Sequence, residues 1–215
     1  MLSLIVINDN TCREAGNTGL EAARVDDCMR LKRAEVVAEA RALVNEEGLD
    51  ALTTRRLGER LGVQGPALYR HFRNKQELID ALAQTFFTGP RMPSEEDTWQ
   101  DWLSSVARST RRAVLACRDG ARIILAAKPD LSDRVDKLLA PLLRAGFDRR
   151  EALLASHLVG RLVIGWTASE QAFDGRIPPF SANLEPESSF EFALKCVIAG
   201  LEMHLIAKRM NPSPD

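Results

Sequence analysis

The chain has 215 residues, of which 45% are hydrophobic and 27% are charged, the composition of a soluble globular protein with one or two domains. The formal net charge is -1, so the chain as a whole does not indicate a nucleic-acid partner, and any such signal must be local. The four cysteines are widely separated and do not cluster with the three histidines, which argues against a zinc site or a disulfide framework and is typical of a reducing cytosol.

The first 28 residues show no sustained hydrophobic period and are rich in Asn, Asp and Gly. We predict a flexible N-terminal extension over residues 1–28, with Met29 as an alternative start. The apolar opening LSLIVI is short and lacks a basic flank, so it predicts neither a signal peptide nor a membrane anchor. We therefore expect a cytoplasmic protein without a membrane partner.

Two helices are predicted next. Apolar residues recur at helical spacing over 31–44, and Gly48 can end this first helix. The segment LDALTTRRLGERLGV then predicts a short second helix, which Thr53 or Thr54 can cap and Gly62 can end.

A third helix follows the glycine turn. Pro66 can open it, because the missing N–H of proline is harmless in the first helical turn. Leu68 and Phe72 supply its buried side. Two short helices joined by a tight turn and supported by a longer one predict a helix-turn-helix unit.

Basic residues concentrate in this unit. Residues 53–75 contain six basic side chains and one acidic side chain, Glu59, which leaves about five net positive charges by subtraction. The basic residues are Arg55, Arg56, Arg60, Arg70, Arg73 and Lys75. Such a patch suits phosphate binding, because neutralised phosphates release counterions.

The third helix is predicted to read the DNA. Because Gly65 and Ala67 have little or no side chain, the start of this helix can approach base edges closely, where an alanine methyl can contact a thymine methyl. Tyr69, Arg70 and His71 can reach phosphates or bases. Each residue alone also fits a solvated surface helix, but the turn, the proline and the charges together favour DNA binding.

The second helix adds further candidates. Arg55 lies near its start and can make a bidentate contact with guanine. Thr54 and Lys75 are predicted to anchor phosphates, which positions the unit without reading sequence.

Residues 36–82, VVAEARALVNEEGLDALTTRRLGERLGVQGPALYRHFRNKQELIDAL, resemble the DNA-binding domain of the TetR family of bacterial transcriptional regulators. The resemblance rests on LTTRRLGERLGV, on PALYRHF and on Asn74-Lys75 ahead of an amphipathic helix. It implies a repressor with DNA contacts at Thr54, Arg55, Pro66, Ala67, Tyr69, Arg70, His71 and Lys75.

The rest of the chain is also predicted to be helical. A fourth helix is expected over 75–88, and helical periods continue through 97–117, 131–145, 148–173 and 188–209. The predicted fold is therefore all-α, with a three-helix helix-turn-helix DNA-binding domain at 29–75 and a C-terminal helical bundle at 76–215 for ligand binding and dimerisation.

The two longest predicted helices carry stripes of aliphatic and small residues, such as Leu158 and Ile164 in one and Leu194 and Leu201 in the other. These stripes fit a four-helix homodimer interface or the core of a single monomer, and the sequence leaves both open. DNA binding favours the homodimer, because two helix-turn-helix units about one DNA turn apart would read a palindromic operator.

The second half resembles the tetracycline-repressor-like branch of the family, in the order and spacing of TWQDWLSSVARSTRRAVL, RDGARIILAAKP and APLLRAGFDRREALLA. The resemblance places Ile124 where that branch has a histidine that coordinates drug-bound magnesium. It places Val106, Thr110 and Ala140 at polar drug contacts. Ile124 and Val106 offer no nitrogen or oxygen ligand, so we expect no metal chelate and a largely apolar effector.

An effector cavity with a few polar groups is therefore predicted in this half. Its proposed lining consists of Val106, Thr110, Ile124, Leu125, Ala140, Leu143, Trp166 and Phe173. The alternative is that these residues are ordinary core of a helical bundle.

No catalytic or nucleotide-binding motif is present, and no cofactor is predicted. The predicted function is a homodimeric repressor released from a palindromic operator by a small, largely apolar effector. The alternative is a helical small-molecule-binding or enzymatic protein that has lost operator recognition. The retained cations, including Arg55 and Lys75, favour the repressor.

Overall fold

A computed structural model describes residues 31–88, 92–128, 132–173 and 184–210, and over these residues the regular structure is helical, as predicted. The predicted extension at 1–28 and Met29 lie outside the described residues. The helices are α1 (Arg33–Glu47), α2 (Thr54–Leu61), α3 (Gly65–Tyr69), α4 (Lys75–Thr88), α5 (Trp99–Leu115), α6 (Gly120–Ala126), α7 (Val135–Ala145), α8 (Arg149–Ala172) and α9 (Pro186–Met210). Short 3-10 turns occupy Leu49–Ala51 and Ser132–Arg134.

The helix-turn-helix unit forms where the sequence predicts it. The Thr53 hydroxyl caps α2 by accepting a 3.2 Å hydrogen bond from the main-chain nitrogen of Arg56. Gly62 ends α2 with a φ of 64°, a left-handed conformation that glycine adopts without strain. Gly58 is needed for close packing, since a Cβ there would lie 2.9 Å from the carbonyl oxygen of Val63.

The first hydrophobic core lies among α1, α2, α3 and α4, where Leu43, Leu57 and Phe86 are almost fully buried. This core continues into the end of α5 and into α6 through Val114 and Ile123. The predicted domain boundary after residue 75 stays a prediction, and α4 begins at Lys75. Because α4 packs against both α1 and α6, it joins the DNA-binding unit to the second half.

The second core lies among α5, α7, α8 and α9 and includes Trp102, Leu142, Val159 and Phe190. The indole nitrogen of Trp102 donates a 2.9 Å hydrogen bond to the carbonyl oxygen of Leu138, so the buried ring has a polar partner. By length and composition alone α8 could cross a bilayer, a property shared by core helices, and its inner face packs in this core.

A buried ion pair crosses this core. Arg111 on α5 and Glu170 on α8 have side chains only 7% and 6% exposed, and Arg111 Nη2 lies 3.0 Å from Glu170 Oε1. Arg111 also pairs with Glu187 at the start of α9 and lies over the Phe190 ring, 4.9 Å from its centroid. One guanidinium therefore ties three helices together.

Candidate nucleic-acid interface

The third helix presents a polar face because its apolar side chains are anchored in the first core. Leu68 and Phe72, one helical turn apart, are only 3% and 5% exposed. Burial of this pair turns Tyr69 and Arg70 outward, and the Tyr69 side chain is 53% exposed. A tyrosine with half of its surface in water and a neighbouring free guanidinium can contact phosphates and base edges.

The remaining predicted contacts lie on α3 or just after it and differ in exposure. Pro66 is exposed in the first turn of the helix, whereas Ala67 and His71 are half-buried. Ala67 therefore offers only part of its methyl surface, and His71 borders the turn that leads to α4.

A groove separates α2 from α3 and brings several predicted contacts together. Arg55 extends from α2 with 84% of its side chain exposed, and its Nε lies 3.8 Å from Glu59 Oε1. Thr54 is half-buried beside it. The groove has a volume of about 480 Å³ and is lined by Thr54, Arg55, Gly58, Glu59, Gly62, Val63, Gln64 and Tyr69.

Sequence reasoning missed Gln64 in this groove. Gln64 is the exposed residue that precedes α3, and its amide offers both a donor and an acceptor beside Arg55 and Tyr69. A polar residue in the turn of a helix-turn-helix unit is the signal that could have identified it.

Two of the six basic side chains counted in residues 53–75 are not available to DNA, because α1 supplies acidic partners from outside that segment. Arg56 pairs with Glu47, and Arg60 Nε lies 2.5 Å from Glu39 Oε1. A second carboxylate, Glu46, lies 2.5 Å from Arg60 Nη1. These two arginines fix α2 to α1 rather than facing DNA.

The cations that remain available are Arg55, Arg70, Arg73 and Lys75, all of them exposed. Arg55 has a loose contact with Glu59, and among the described residues no ion pair involves the side chains of the other three. These four cations lie on α2, just after α3 and at the start of α4.

The start of α4 is held by a local hydrogen-bond exchange. The main-chain nitrogen of Glu77 donates to Asn74 Oδ1 at 2.9 Å, and the Glu77 carboxylate accepts from the main-chain nitrogen of Arg73 at 2.8 Å. This bond from Arg73, assisted by the Arg33 guanidinium, lowers the pKa of Glu77. Lys75 consequently lies in the first turn of α4, at the edge of the positive face.

The predicted effector contacts are divided between the two hydrophobic cores and the protein surface. Val106 and Trp166 pack against the second core, whereas Ile124 is 8% exposed and belongs to the first core. Thr110 is buried on α5, with 5% exposure. Trp166 meets the Phe190 ring edge-on, with the ring centroids 6.1 Å apart.

The other four predicted effector contacts are more accessible. Leu125, Leu143 and Phe173 are 67%, 37% and 42% exposed. Ala140 is half-buried and lines a depression of about 420 Å³, together with Met92, Pro93, Arg134 and Lys137. Within the described chain, the eight side chains are therefore not gathered around one cavity.

No group of three or more His, Cys, Asp or Glu side chains could hold a metal ion within the ranges that the structure describes. Polar groups instead connect the two halves. Arg118 donates from its main-chain nitrogen to Asn45 Oδ1 at 2.9 Å, and Arg122 Nη2 lies 2.9 Å from Asp50 Oδ1. These contacts join the end of α1 and the turn after it to the segment between α5 and α6 and to α6.

This geometry defines a helix-turn-helix protein with a cationic reading face and a helical second half. Residues 36–82 match the family described as bacterial regulatory proteins, tetR family, and residues 92–177 match the tetracyclin repressor-like C-terminal domain. The chain is 35% identical over 209 residues to tetracycline repressor protein class A from transposon 1721 of Escherichia coli, covering 86% of this chain and 97% of that protein. The chain belongs to the tetR family of bacterial regulatory proteins.

Solved structures agree with this assignment. A variant of TetR from Acinetobacter baumannii AYE in complex with minocycline has a TM-score of 0.71 and 37% identity, covering 80% of this chain and 97% of that chain. BioQ with its natural double-stranded DNA operator has a TM-score of 0.63 and 29% identity, covering 80% of this chain and 98% of that chain.

Proposed function

We propose that this protein is a sequence-specific DNA-binding repressor that a small effector releases from its operator. The observation that carries the proposal is the exposure of Arg55, Tyr69, Arg70 and Lys75 on the helix-turn-helix unit, where Arg55 and Tyr69 line one groove. Arg55 and α3 would read bases, with contributions from Pro66, Ala67 and His71. Thr54 and Lys75 would bind phosphates and fix the register on the duplex.

The operator is proposed to be palindromic, because the second half carries the features of a homodimer interface. Large apolar side chains remain exposed on the outer faces of α8 and α9, namely Leu154, Leu158, Phe192, Met203, Ile206 and Met210. An exposed apolar patch of this kind marks an interaction site, and the same stripe on a second copy would bury it in a four-helix interface. The two reading units would then face successive turns of one side of the DNA.

Sedimentation of the purified protein tests the homodimer. We expect a mass of two chains at micromolar concentration, and Met203→Glu should shift the distribution toward one chain. The matched control is Lys137→Glu on α7, which should leave the mass unchanged. A wild-type protein that sediments as one chain, both alone and with operator DNA, would contradict the proposal.

The effector is proposed to be small and largely apolar. Its contacts would come from part of the predicted set, namely Val106, Thr110 and Trp166, which lie on the helices that build the second core. Ile124 and Val106, which offer no nitrogen or oxygen ligand, stand at two of the positions that the resemblance assigns to metal-chelate binding. The effector must bind the DNA-free conformation more tightly by the same free energy by which it weakens operator binding.

The proposal is tested by titrating the protein against the DNA that flanks its own gene. Fluorescence anisotropy at two salt concentrations, with nonspecific competitor present, should reveal saturable binding to one palindromic segment. Binding that disappears on every flanking segment when competitor is added would contradict sequence-specific recognition of this DNA.

The relatives are transcriptional regulators, and we infer that this protein likewise works by binding and not by catalysis, in the cytoplasm. The alternative of a small-molecule-binding or enzymatic protein that has lost operator recognition predicts tight ligand binding without any DNA competition. The exposed and accessible state of Arg70 and Lys75 argues for the repressor.

A further inference from the structure

Arg33, the first residue of α1, contacts the turn that follows the reading helix. Its Nη1 donates to the main-chain carbonyl oxygen of His71 and lies 3.3 Å from Glu77 Oε1. Its guanidinium also lies over the Phe72 ring, 4.0 Å from the centroid. The Arg33 side chain therefore contacts His71 just after α3, the buried Phe72 ring and Glu77 in the first turn of α4.

Glu77 connects this contact to the rest of the turn. The same carboxylate accepts the main-chain hydrogen bond from Arg73, while Asn74 accepts from the main-chain nitrogen of Glu77. The segment between His71 and Glu77 is thus held from both sides. This segment follows the exposed Arg70 and contains the exposed cations Arg73 and Lys75.

We propose that Arg33 is a positioning residue for operator recognition, which holds the turn between α3 and α4 so that Tyr69, Arg70 and Lys75 meet the duplex together. This inference rests on the proposed DNA-binding function. The helix α3 has only five residues, so its orientation depends on contacts at its ends. Holding these contacts before binding reduces the ordering cost of complex formation.

Arginine suits this position because its planar guanidinium can stack on a ring and donate in two directions at once. Lysine keeps the charge but lacks the fork and the flat face. An Arg33→Lys protein should therefore retain only part of the function, although the net charge is unchanged.

A direct phosphate contact by Arg33 is the competing role, since its side chain is 49% exposed. The two roles differ in salt dependence. Each phosphate contact contributes about 0.9 to the slope of log K against log salt. A positioning residue contributes nothing to that slope but changes the affinity.

The experiment measures operator affinity by fluorescence anisotropy at four salt concentrations for the wild type, Arg33→Met and Arg33→Lys. The matched control is Arg149→Met, because Arg149 is an exposed arginine on α8 that pairs with Asp136 in the second half. We expect Arg33→Met to lose about tenfold in affinity with an unchanged slope, as for removal of a charge-assisted hydrogen bond. The affinity of Arg33→Lys should lie between those of the wild type and Arg33→Met, and the affinity of Arg149→Met should match that of the wild type.

A slope reduced by about 0.9 in Arg33→Met would assign the residue to a phosphate contact and overturn the inference. Unchanged affinity in Arg33→Met, with a wild type that binds normally, would also overturn it. A wild type that binds no operator would instead remove the proposed function itself, so the two failures are distinguishable.

Glu77→Gln provides a second test that does not require Arg33 to be replaced. Removing a negative charge beside DNA ordinarily strengthens binding, because phosphate repulsion is reduced. The positioning role predicts the opposite sign, a loss of about threefold, since the amide weakens the contacts with Arg33 and Arg73. Circular dichroism melting checks that each variant is folded at the assay temperature, and stronger binding by folded Glu77→Gln would overturn the inference.

Discussion

Asp119 accepts a 2.8 Å hydrogen bond at Oδ2 from the main-chain nitrogen of Leu49, which joins the turn between α5 and α6 to the turn after α1. Asp119 has a φ of 58°, a left-handed conformation that Asp and Asn tolerate better than most residues. Arg122 lies within 3.2 Å of Asp119 and also pairs with Asp50. This turn is therefore a direct polar connection between the DNA-binding unit and the second half.

Asp119→Ala should lower the free energy of unfolding by about 2 kcal/mol, because the part-buried N–H of Leu49 loses a charge-assisted partner and alanine is strained at positive φ. Asp119→Asn keeps an acceptor and tolerates the backbone, so it should lose roughly half as much. Urea unfolding at pH 7 measures both values. The control is Asp136→Ala, which breaks only the exposed pair with Arg149 and should cost less than about 1 kcal/mol. Equal losses for Asp119→Ala and Asp136→Ala would contradict this account.

The helix-turn-helix unit could be predicted from sequence because its signals are local. Thr53 caps α2, Gly62 ends it, and Leu68 and Phe72 fall one turn apart, so each feature is readable within a few residues. The acidic partners of the unit were not readable in this way, because the Arg60 carboxylate partners lie on a different helix.

The second half was predicted less completely, because its packing also depends on contacts between residues that are far apart in the sequence. Its helices and their order followed from hydrophobic periodicity, but periodicity does not say which neighbour a buried side chain meets. Thus Ile124 joined the first core and Leu125 remained exposed, although both were predicted to line one cavity. The buried pair of Arg111 with Glu170 joins residues 59 positions apart and left no local signal.

Arg55→Ala should relax base preference while changing the salt dependence little. Arg55 is the proposed base reader on α2, because its side chain is 84% exposed at the groove between α2 and α3. We expect the difference in affinity between the operator and a variant with one changed guanine to shrink by about 1–3 kcal/mol. Anisotropy titrations across a set of single-base operator variants measure this, and unchanged relative affinities would contradict the assigned role.

Lys75→Ala should weaken binding to all sequences alike. Lys75 is exposed in the first turn of α4, beyond α3, and its proposed role is a phosphate contact and not base reading. The slope of log K against log salt should fall by about 0.9, as for the loss of one phosphate contact. Parallel titrations of operator and unrelated DNA test this prediction, and a loss confined to one operator position would argue against it.

The ionised carboxylate of Glu151 should stabilise the second half, and this contribution should be lost at acidic pH. Its carboxylate accepts a 2.6 Å hydrogen bond from Lys208 Nζ, a 2.8 Å bond from the main-chain nitrogen of Asp148, and a 3.1 Å contact with His204 Nε2. Burial raises the pKa of Glu151, but these contacts outweigh it and lower the pKa from 4.5 to about 2. The start of α8 and the end of α9 are joined through this one carboxylate.

Because the folded-state pKa is depressed, the contribution of Glu151 to stability should be present above about pH 4.5 and should disappear as the pH falls toward 2. Glu151→Gln lacks the ionised form, so its melting temperature should lie below that of the wild type at pH 6. The gap should narrow at pH 4 and narrow further at pH 3, because the carboxylate of the unfolded wild type, with its ordinary pKa of 4.5, gains its proton in this range while the folded one stays largely ionised. Thermal unfolding followed by circular dichroism at these three pH values measures the gap, and Asp136→Asn serves as the control for an exposed carboxylate. A gap that stays constant from pH 6 to pH 3 would show that the charge of Glu151 does not stabilise the fold, since other carboxylates titrate equally in both proteins and cancel in the difference.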